Sequence, residues 1–413
     1  MKEKRSPILT LFLTIFLDML GVGILIPVIP VLFVQPLSPH YLLPAGTASA
    51  TAYILLGSLL AIFSIGQFFA APIIGQFSDK FGRKRMLAFS IFGTSLGHLL
   101  FAIAIFLGNV PLLFVARLFA GITGGNIVVA QAAIADITPP KDRAKNFGLI
   151  GAAFGLGFIF GPFIGGKLAD PTLVSWFSAA VPFLFAAALS FINGILVLRY
   201  LRETHGSMNR HQTVVWGKSL RNIMHAFRLK EERSLFLTSF LFQMGFAFYT
   251  TFSAVYLMWR FGFSEGSIGN YFAFVGVWIV VTQAVVTRAV ARKYREPTVL
   301  RYSILGAGLV LVGIILAPTP LTLYLLAPFF SVAIGLTQSN LTALISRSAG
   351  PAIQGEILGI NGSMNALAQA IPPLLSGVLA ATFAPHAPLV VASLLAITAG
   401  MYFRFHVPIK REV

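Results

Sequence analysis

The stretch Gly75-Gln76-Phe77-Ser78-Asp79-Lys80-Phe81-Gly82-Arg83-Lys84-Arg85 decides how this chain folds. It holds five charges, four of them positive, and it lies between two long apolar segments. A short basic turn between hydrophobic segments is typical of a loop that stays on the cytoplasmic side of a membrane. The stretch therefore predicts that the chain reverses here between two membrane-spanning helices.

The composition places the chain in a membrane. Of its 413 residues, 57% are hydrophobic and only 10% are charged, whereas a soluble protein of this size needs far more charge on its surface. The formal net charge of +17 raises nucleic-acid binding as an alternative, but the basic residues fall in separate loops rather than on one face. Cysteine is absent, which excludes disulfides, thiolate chemistry and cysteine metal sites.

Stretches of about 20 or more apolar residues, long enough to cross a bilayer, recur along the whole chain. They predict an all-α integral membrane protein with twelve transmembrane helices. The predicted spans, numbered one to twelve, are 8–34, 49–77, 84–107, 110–136, 144–168, 176–199, 233–260, 265–290, 299–317, 320–347, 353–382 and 386–407. The first follows the basic cluster Lys2–Arg5, but at this length it is a retained span and not a signal peptide.

The basic loops predict the orientation. When the spans are followed in order, all but three of the 30 Lys and Arg residues fall on one side, the exceptions being Arg117, Lys167 and Arg260. Positively charged loops stay in the cytoplasm. We therefore expect a multi-pass protein of the cell (inner) membrane with both termini cytoplasmic.

The chain divides into two halves of similar sequence. We predict an N-terminal six-helix bundle over 1–200, a cytoplasmic linker over 201–232 and a C-terminal six-helix bundle over 233–413. Phe147–Gly166 aligns on Leu358–Gly377 without gaps, and three glycines and one proline match. Two repeated halves with a site between them are the plan of secondary transporters.

Part of the linker has the pattern of an amphipathic helix on the membrane surface. Within Trp216–Leu229, this pattern brings four apolar residues to one face: Trp216, Leu220, Ile223 and Phe227. The alternative is a solvated linker without a membrane contact.

Two charged residues lie deep within the predicted spans. Asp18 is about ten residues into span one, hence about 15 Å deep at 1.5 Å per residue. Ionisable residues inside membranes are costly and are usually functional, so we predict that Asp18 carries a proton; the alternative is a packing residue held by hydrogen-bond donors. Arg117 in span four stays charged, and we predict that it modulates Asp18. A static ion pair or a clamp on carbonyl groups is the equal alternative for Arg117.

Four segments resemble those of a known family. The loop Gly75–Arg85 fits the pattern G-x-x-x-D-[RK]-x-G-[RK]-[RK] of the major facilitator superfamily throughout. Leu17–Pro30, Arg117–Thr138 and Gly155–Gly166 resemble the first, fourth and fifth spans of its drug/proton antiporters, in particular tetracycline-antiporter-like transporters. The resemblance implies the major facilitator fold, with two pseudo-symmetric six-helix bundles and transport by alternating access.

The resemblance also implies a cytoplasmic gate. In the superfamily the loop carboxylate, here Asp79, faces the N-terminal end of span eleven near Gly355, and the loop Arg83 pairs with Asp136. The two glycines of the loop pattern, Gly75 and Gly82, belong to the predicted gate as well. The alternative is that these charges only orient the chain.

The same resemblance gives an antiporter motif in span five, consisting of Gly157, Gly161, Pro162, Gly165 and Gly166. Glycines permit close helix packing, and we expect this face to form a seal and a pivot against span eleven. Close packing without any role in movement is the alternative.

The superfamily fold implies that spans one, four, seven and ten line the substrate cavity, with span eleven nearby. The candidate residues are Asn126, Gln131, Gln243, Tyr249, Gln338, Asn340, Asn361 and Asn365. Each is more often a helix–helix hydrogen bonder than a ligand contact. The C-terminal half holds no deep ionisable residue, and the chain has 39 Phe, which favours a lipophilic substrate.

Some positions depart from the tetracycline antiporters. Where those carry an Asp in span three, this chain has Gly97 beside His98, and it lacks their His in span eight and Asp in span nine. Tetracycline itself is therefore not the expected substrate. His98 is either a second proton group or a structural hydrogen bonder.

The sequence thus predicts a proton-coupled exporter of lipophilic or amphipathic small molecules such as drugs. The expected partners are that substrate, protons and the lipid bilayer, with no nucleic acid, no metal and no cofactor other than the proton gradient, in a monomer. Transport of a sugar, an amino acid or a lipid is the nearest alternative, and a transport-dead receptor is a more distant one. No catalytic constellation is present in the sequence, so an enzyme is not expected.

Overall fold

The computed structural model describes residues 7–138, 143–204, 214–229, 232–348 and 354–407. Within these ranges every regular element is a helix. Spans one to six comprise the helices Pro7–Val28 with Val31–Val34, Ser49–Phe81, Arg83–Phe106, Val110–Thr123 with Asn126–Ile137, Arg143–Leu168 and Val181–Tyr200. A linker helix, Lys218–Arg228, follows. Spans seven to twelve comprise Arg233–Phe261, Glu265–Val281 with Thr282–Val286 and Thr287–Ala291, Glu296–Leu316, Pro320–Ser348, Gln354–Thr382 and Ala387–His406.

Twelve spans account for the membrane-crossing part of the chain. Among the described residues, eleven helical segments are long and apolar enough to cross a bilayer, and span five adds the shorter apolar stretch Ala152–Leu168 inside a 26-residue helix. Helices suit a bilayer because each satisfies its own backbone hydrogen bonds. The predicted all-helical fold is confirmed, and the protein is a multi-pass membrane protein.

The boundary of span six differs most from the prediction. The helix begins at Val181 rather than at residue 176. Pro182 occupies its first turn, where the missing N–H of proline costs no hydrogen bond and its fixed φ suits the helix. Hydrophobicity alone extended the predicted span over the preceding Trp176–Ala180.

Three spans contain breaks that shape the interior. Span four is interrupted at Gly124 and Gly125, after which a new helix begins at Asn126. Span one is interrupted before Val31. Span eight contains one wide π-helical turn, Thr282–Val286, a form that often marks a functional site.

The helices group into two compact units. The first contains Met1–Ala48, Ile62–Lys218 and Ser264–Ala273, and the second contains Ser49–Ala61, Ser219–Phe263 and Phe274–Val413. The units thus divide the helices of spans two and eight between them. The predicted domains 1–200, 201–232 and 233–413 are divisions of the sequence and stay a prediction.

In the first unit, span one packs chiefly on span five, and span three packs on span six and on the first helix of span four. In the second unit, spans seven and nine both pack on span twelve, and span nine also packs on span ten. Small residues make the tightest of these approaches: a Cβ added at Gly161 would lie 2.7 Å from the Gly23 Cα. Close backbone approach of this kind holds membrane helices together, because lipid offers little hydrophobic drive for their association.

Candidate functional site

Asp18 lies in the middle of span one and is held by an amide. The side-chain Nδ2 of Asn126 donates a hydrogen bond to the Asp18 Oδ1. Asn126 is only 3% exposed, and its Oδ1 accepts from the backbone N–H of Ile127 at 3.1 Å. Because that second bond engages the amide oxygen, the NH₂ group is the end left to face the carboxylate.

The break in span four creates this contact. Gly124 and Gly125 end one helix, and Asn126 is the first residue of the next. A Cβ added at Gly125 would come within 2.8 Å of Ile74 in span two, so the packing there requires a glycine. The break therefore makes the polar Asn126 the first residue of a new helix that begins in the buried part of span four.

Arg117 lies in the first helix of span four and is 7% exposed. Its guanidinium carbon is 4.3 Å from the centre of the Phe63 ring in span two, which is a cation–π geometry. Its Nε has no hydrogen-bond partner. Among the described residues no salt bridge joins Arg117 to Asp18, so the alternative of a static ion pair is not what the structure contains.

His98 lies in span three, where it faces span one. The ring is 7% exposed, and a Cβ added at Gly21 would lie 3.5 Å from the His98 Nε2. Gly21 is one turn beyond Asp18 on span one, and Gly97, the neighbour of His98, packs against Ala120, one turn beyond Arg117 on span four. We call Asp18, His98, Arg117 and Asn126 the polar cluster of the first unit.

A second constellation lies at the turn between spans two and three. Arg83 Nη1 is 2.6 Å from Asp79 Oδ1, and Arg83 Nε is 2.9 Å from Asp136 Oδ2. Arg83 Nη1 also donates to Ser78 Oγ at 2.6 Å. The structure therefore brings together the three charged residues that the sequence assigns to the gate, Asp79, Arg83 and Asp136. With Arg83 only 7% exposed, the two carboxylates balance a largely buried charge.

The remaining gate positions are glycines and a helix start. Gly82 has φ +98°, a conformation that other residues rarely adopt, and it separates the helices of spans two and three. Gly75 faces Val128 of span four. Gly355 lies in the first turn of span eleven. Its predicted proximity to Asp79 joins the two compact units and stays a prediction.

Sequence reasoning missed Glu203 as part of this turn. Its carboxylate accepts from the backbone N–H of Arg83 at 2.8 Å and from that of Lys84 at 3.3 Å. These are orphan donors at the start of span three, where a negative charge is favourable. The only sequence signal is an acidic residue at the beginning of a basic linker.

Gln76 is a second residue that the sequence did not single out. Its side chain pairs with the backbone of Val215, accepting from the Val215 N–H at 2.8 Å and donating to the Val215 oxygen at 3.1 Å. Gln76 is 3% exposed. The signature loop therefore also fixes the start of the linker helix.

The predicted partner of the antiporter motif is wrong. The nearest neighbours of Gly157, Gly161 and Gly165 belong to span one, and those of Gly166 belong to span eight. Pro162 likewise packs on Gly23 of span one and Gly269 of span eight. A regular row of glycines predicts a close approach but does not identify the helix that makes it.

Span eleven instead packs on span two. A Cβ added at Gly57 would lie 2.6 Å from the Pro373 oxygen and 2.8 Å from the Gly377 Cα. Both glycines are needed there, because a Cβ added at Gly377 would also meet the Tyr53 oxygen at 2.6 Å.

Four candidate substrate residues of the second unit form hydrogen bonds within the protein. Gln338 donates to Gln243 at 3.3 Å, and Asn365 accepts from Ser239 at 3.1 Å. Asn340 donates to the Leu336 oxygen of its own helix at 2.7 Å. These contacts favour a role in hydrogen bonding between and within helices over a role in contacting a ligand.

Three further candidates behave differently. Asn361 is 7% exposed, and its Oδ1 has no hydrogen-bond partner. The buried ring of Tyr249 packs 4.6 Å from that of Phe330, within a group of aromatic residues. Gln131 is partly buried in span four. A buried amide oxygen without a partner is unusual in native proteins, so Asn361 is the best candidate of the three for a ligand contact.

The chain matches a known family over most of its length. Residues 11–373 match the model of the Major Facilitator Superfamily. The chain is a member of this superfamily. Its helical spans and its signature loop are those of a facilitator.

The relatives of this facilitator include resistance proteins. It is 32% identical over 378 residues to tetracycline resistance protein class H of Pasteurella multocida, covering 90% of this chain and 88% of that one. It is 28% identical over 385 residues to multidrug resistance protein 2 of Bacillus subtilis (strain 168), covering 91% and 89%.

Solved structures share the facilitator fold. The human organic anion transporter MFSD10 (TETRAN) superposes with a TM-score of 0.73 at 22% identity, covering 98% of this chain and all of the other. A D-xylose–proton symporter superposes with a TM-score of 0.75 at 17% identity, covering 98% of each chain. At these identities the likeness establishes the fold alone.

Proposed function

We propose that this facilitator exports lipophilic or amphipathic small molecules such as drugs in exchange for protons, by alternating access. The observation that carries the proposal is Asp18, a carboxylate in mid-span whose described partner is the neutral amide of Asn126. Protonating this carboxylate would break no ion pair. The names of the relatives, tetracycline and multidrug resistance proteins, support the direction of transport.

Arg117 would modulate this proton. A cation on the Phe63 face without an acceptor at Nε is free to attract the Asp18 carboxylate when the helices move. Attraction would favour the charged form of Asp18, and separation would favour its protonation. His98, which faces span one at Gly21, would relay or position the proton.

The cytoplasmic gate would consist of Asp79, Arg83 and Asp136, with Gly355 as the partner at the start of span eleven. The bonds of Arg83 to both carboxylates support this role on the side of the first unit. A helix N-terminus favours a nearby negative charge, which is the physical reason to expect Asp79 at Gly355.

The substrate would be held mainly by apolar and aromatic side chains. The buried aromatic group around Tyr249 and Phe330 and the unpaired oxygen of Asn361 support a lipophilic molecule with few polar groups. We further propose a monomer in the cell (inner) membrane with both termini cytoplasmic and with no cofactor beyond the proton gradient.

Purified protein in proteoliposomes tests the proposal. An imposed pH gradient should drive transport of a lipophilic dye, and the protonophore-sensitive part should be lost in Asp18→Asn. Asp170→Asn is the matched control, because Asp170 lies in the loop beyond the end of span five and its replacement should leave transport unchanged. If Asp18→Asn kept gradient-driven transport at the wild-type rate, the proton assignment would be wrong. Wild-type transport of a sugar or an amino acid but of no lipophilic compound would overturn the substrate class.

A further inference from the structure

The linker helix Lys218–Arg228 exposes a stripe of large apolar side chains. Leu220 is 51% exposed, Met224 58% and Phe227 54%, and Trp216 just before the helix is 70% exposed. At about 100° per residue, the three helical residues lie within one narrow sector. The sequence predicted such a face with Ile223 in it; the structure places Met224 there instead and leaves Ile223 partly buried.

The opposite side of the helix is fixed to the protein. Asn222 donates to the Oγ of Ser363 in span eleven at 3.0 Å, and Ala226 is 1% exposed. The segment before the helix is held at Val215 by Gln76. With these anchors the helix cannot rotate to bury its apolar stripe, so that stripe needs a partner outside its own unit.

The third side is basic. Lys218, Arg221 and Arg228 are exposed, and at about 100° per residue they fall in one sector beside the apolar stripe. The helix contains no acidic residue, so its charge is not balanced internally. An exposed apolar stripe flanked by basic residues is the pattern of a helix that lies in the membrane interface.

Chain connectivity keeps the helix near the bilayer. It ends at Arg228, and span seven begins at Arg233. Five residues extend at most about 18 Å, so the helix lies within that distance of the end of a membrane span. A water-soluble protein partner would not require this placement, whereas a lipid partner does.

We propose that the linker helix binds anionic lipid headgroups, with its apolar stripe in the interface and its basic flank on the phosphates. The adjacent leaflet supplies the complementary charge, since each basic residue near an anionic surface adds to the attraction. This inference is independent of the proposed transport activity, because it rests on the linker helix and not on the polar cluster.

The absence of cysteine makes a site-specific test direct. A nitroxide attached at Met224→Cys reports whether that position contacts oxygen dissolved in lipid or a nickel chelate dissolved in water. Ala45→Cys, exposed in the loop between spans one and two, is the aqueous reference. Phe329→Cys, 66% exposed in span ten, is the lipid reference. Each protein is placed in nanodiscs of phosphatidylcholine, either alone or with about 30% phosphatidylglycerol, whose headgroups make the membrane surface anionic.

We expect the Met224 label to resemble the lipid reference in discs with phosphatidylglycerol and to shift toward the aqueous reference without it. Replacing Lys218, Arg221 and Arg228 by Gln should remove this shift. Replacing Arg292, Lys293 and Arg295 by Gln, an equal loss of charge in the exposed loop after span eight, should retain it.

Three outcomes would overturn the proposal. A Met224 label that matches the aqueous reference in both membranes would leave the stripe in water. A label shielded from both reagents would place a protein surface over it. A label immersed equally in both membranes would exclude recognition of anionic headgroups.

Discussion

At the scale of single residues, Arg117 is the member of the polar cluster that carries a buried positive charge. A guanidinium that is 7% exposed, stacked on Phe63 and without an acceptor at Nε depends on the ring for stabilisation. Cation–π contacts contribute about 0.5–2 kcal/mol. We expect Phe63→Leu to lower the thermal unfolding midpoint by a few degrees, measured by intrinsic fluorescence in detergent, and Phe63→Tyr to retain it.

The control for this prediction is Phe89→Leu, which changes an equal ring that is 58% exposed on span three and should leave the midpoint unchanged. In an Arg117→Ala background, Phe63→Leu should lose most of its effect, since the charge above the ring is gone. An undiminished effect in that background would mean that Phe63 acts through packing alone.

At the scale of elements, the turn between spans two and three depends on a glycine and a distant carboxylate. Gly82→Ala must adopt φ +98° and must also displace the Glu203 carboxylate. A residue other than glycine held at such a positive φ costs about 1–3 kcal/mol. Gly46 also has a positive φ, +83°, but a Cβ added there would meet no atom within 4 Å. Gly46→Ala therefore has backbone strain without a collision, and it should lower the unfolding midpoint less than Gly82→Ala.

Glu203→Ala separates the two costs at this turn. By itself it should destabilise the protein, since loss of a helix cap costs about 0.5–2 kcal/mol. Combined with Gly82→Ala it should partly restore the midpoint, because the collision is removed. If the double variant were as unstable as the sum of the two single variants, the steric part of the argument would fail.

The glycine face of span five makes a second prediction for an element. At Gly161 a Cβ would lie 2.7 Å from backbone atoms of both Leu20 and Gly23, and backbone cannot rotate away as a side chain can. Gly161→Ala should therefore reduce the yield of monodisperse protein in size-exclusion chromatography several-fold. Gly306→Ala, in a helix with nothing within 4 Å, should be neutral or stabilising by about 0.5–1 kcal/mol.

At the scale of the whole molecule, two hydrogen bonds between the Gln76 side chain and the Val215 backbone join the signature loop to the linker. Two hydrogen bonds contribute about 1–3 kcal/mol together. Gln76→Ala should therefore raise the rate of tryptic cleavage after Lys218 by about tenfold, measured by mass spectrometry of the fragments. Gln369→Ala, an exposed glutamine of span eleven, should leave the rate unchanged. Equal protection in both variants would show that the helix is held by other contacts.

Most of the fold could be predicted from the sequence because a bilayer imposes length and charge rules on every span. The predicted ends of span ten, 320 and 347, differ from the helix Pro320–Ser348 by at most one residue. Asp18 and Arg117 stand out for the same reason, as charges where the solvent is hydrocarbon. The family motif led to the contacts of Arg83 with Asp136.

Contacts between distant parts of the chain could not be predicted in this way. Asn126 appears in the sequence as one polar residue of a cavity wall, but it bonds to Asp18, 108 positions away. Glu203 reaches Arg83 across 120 positions. Local spacing reports which face of a helix is small or polar, and it carries no information on the helix that comes to lie against that face.

The π-helical turn Thr282–Val286 has a consequence for comparing this chain with its relatives. Such a turn accommodates one more residue than an α-helical turn in the same length of helix. An insertion of one residue in the middle of span eight is therefore absorbed locally, without a loop. Deleting a residue here should restore an α-helical turn while Thr287–Ala291 keep the direction they now have, whereas the same deletion in an α-helical stretch would rotate the residues beyond it by about 100°. In an alignment, a single-residue gap at this position would therefore mark the loss of the π-helical turn rather than a change in the direction of Arg288.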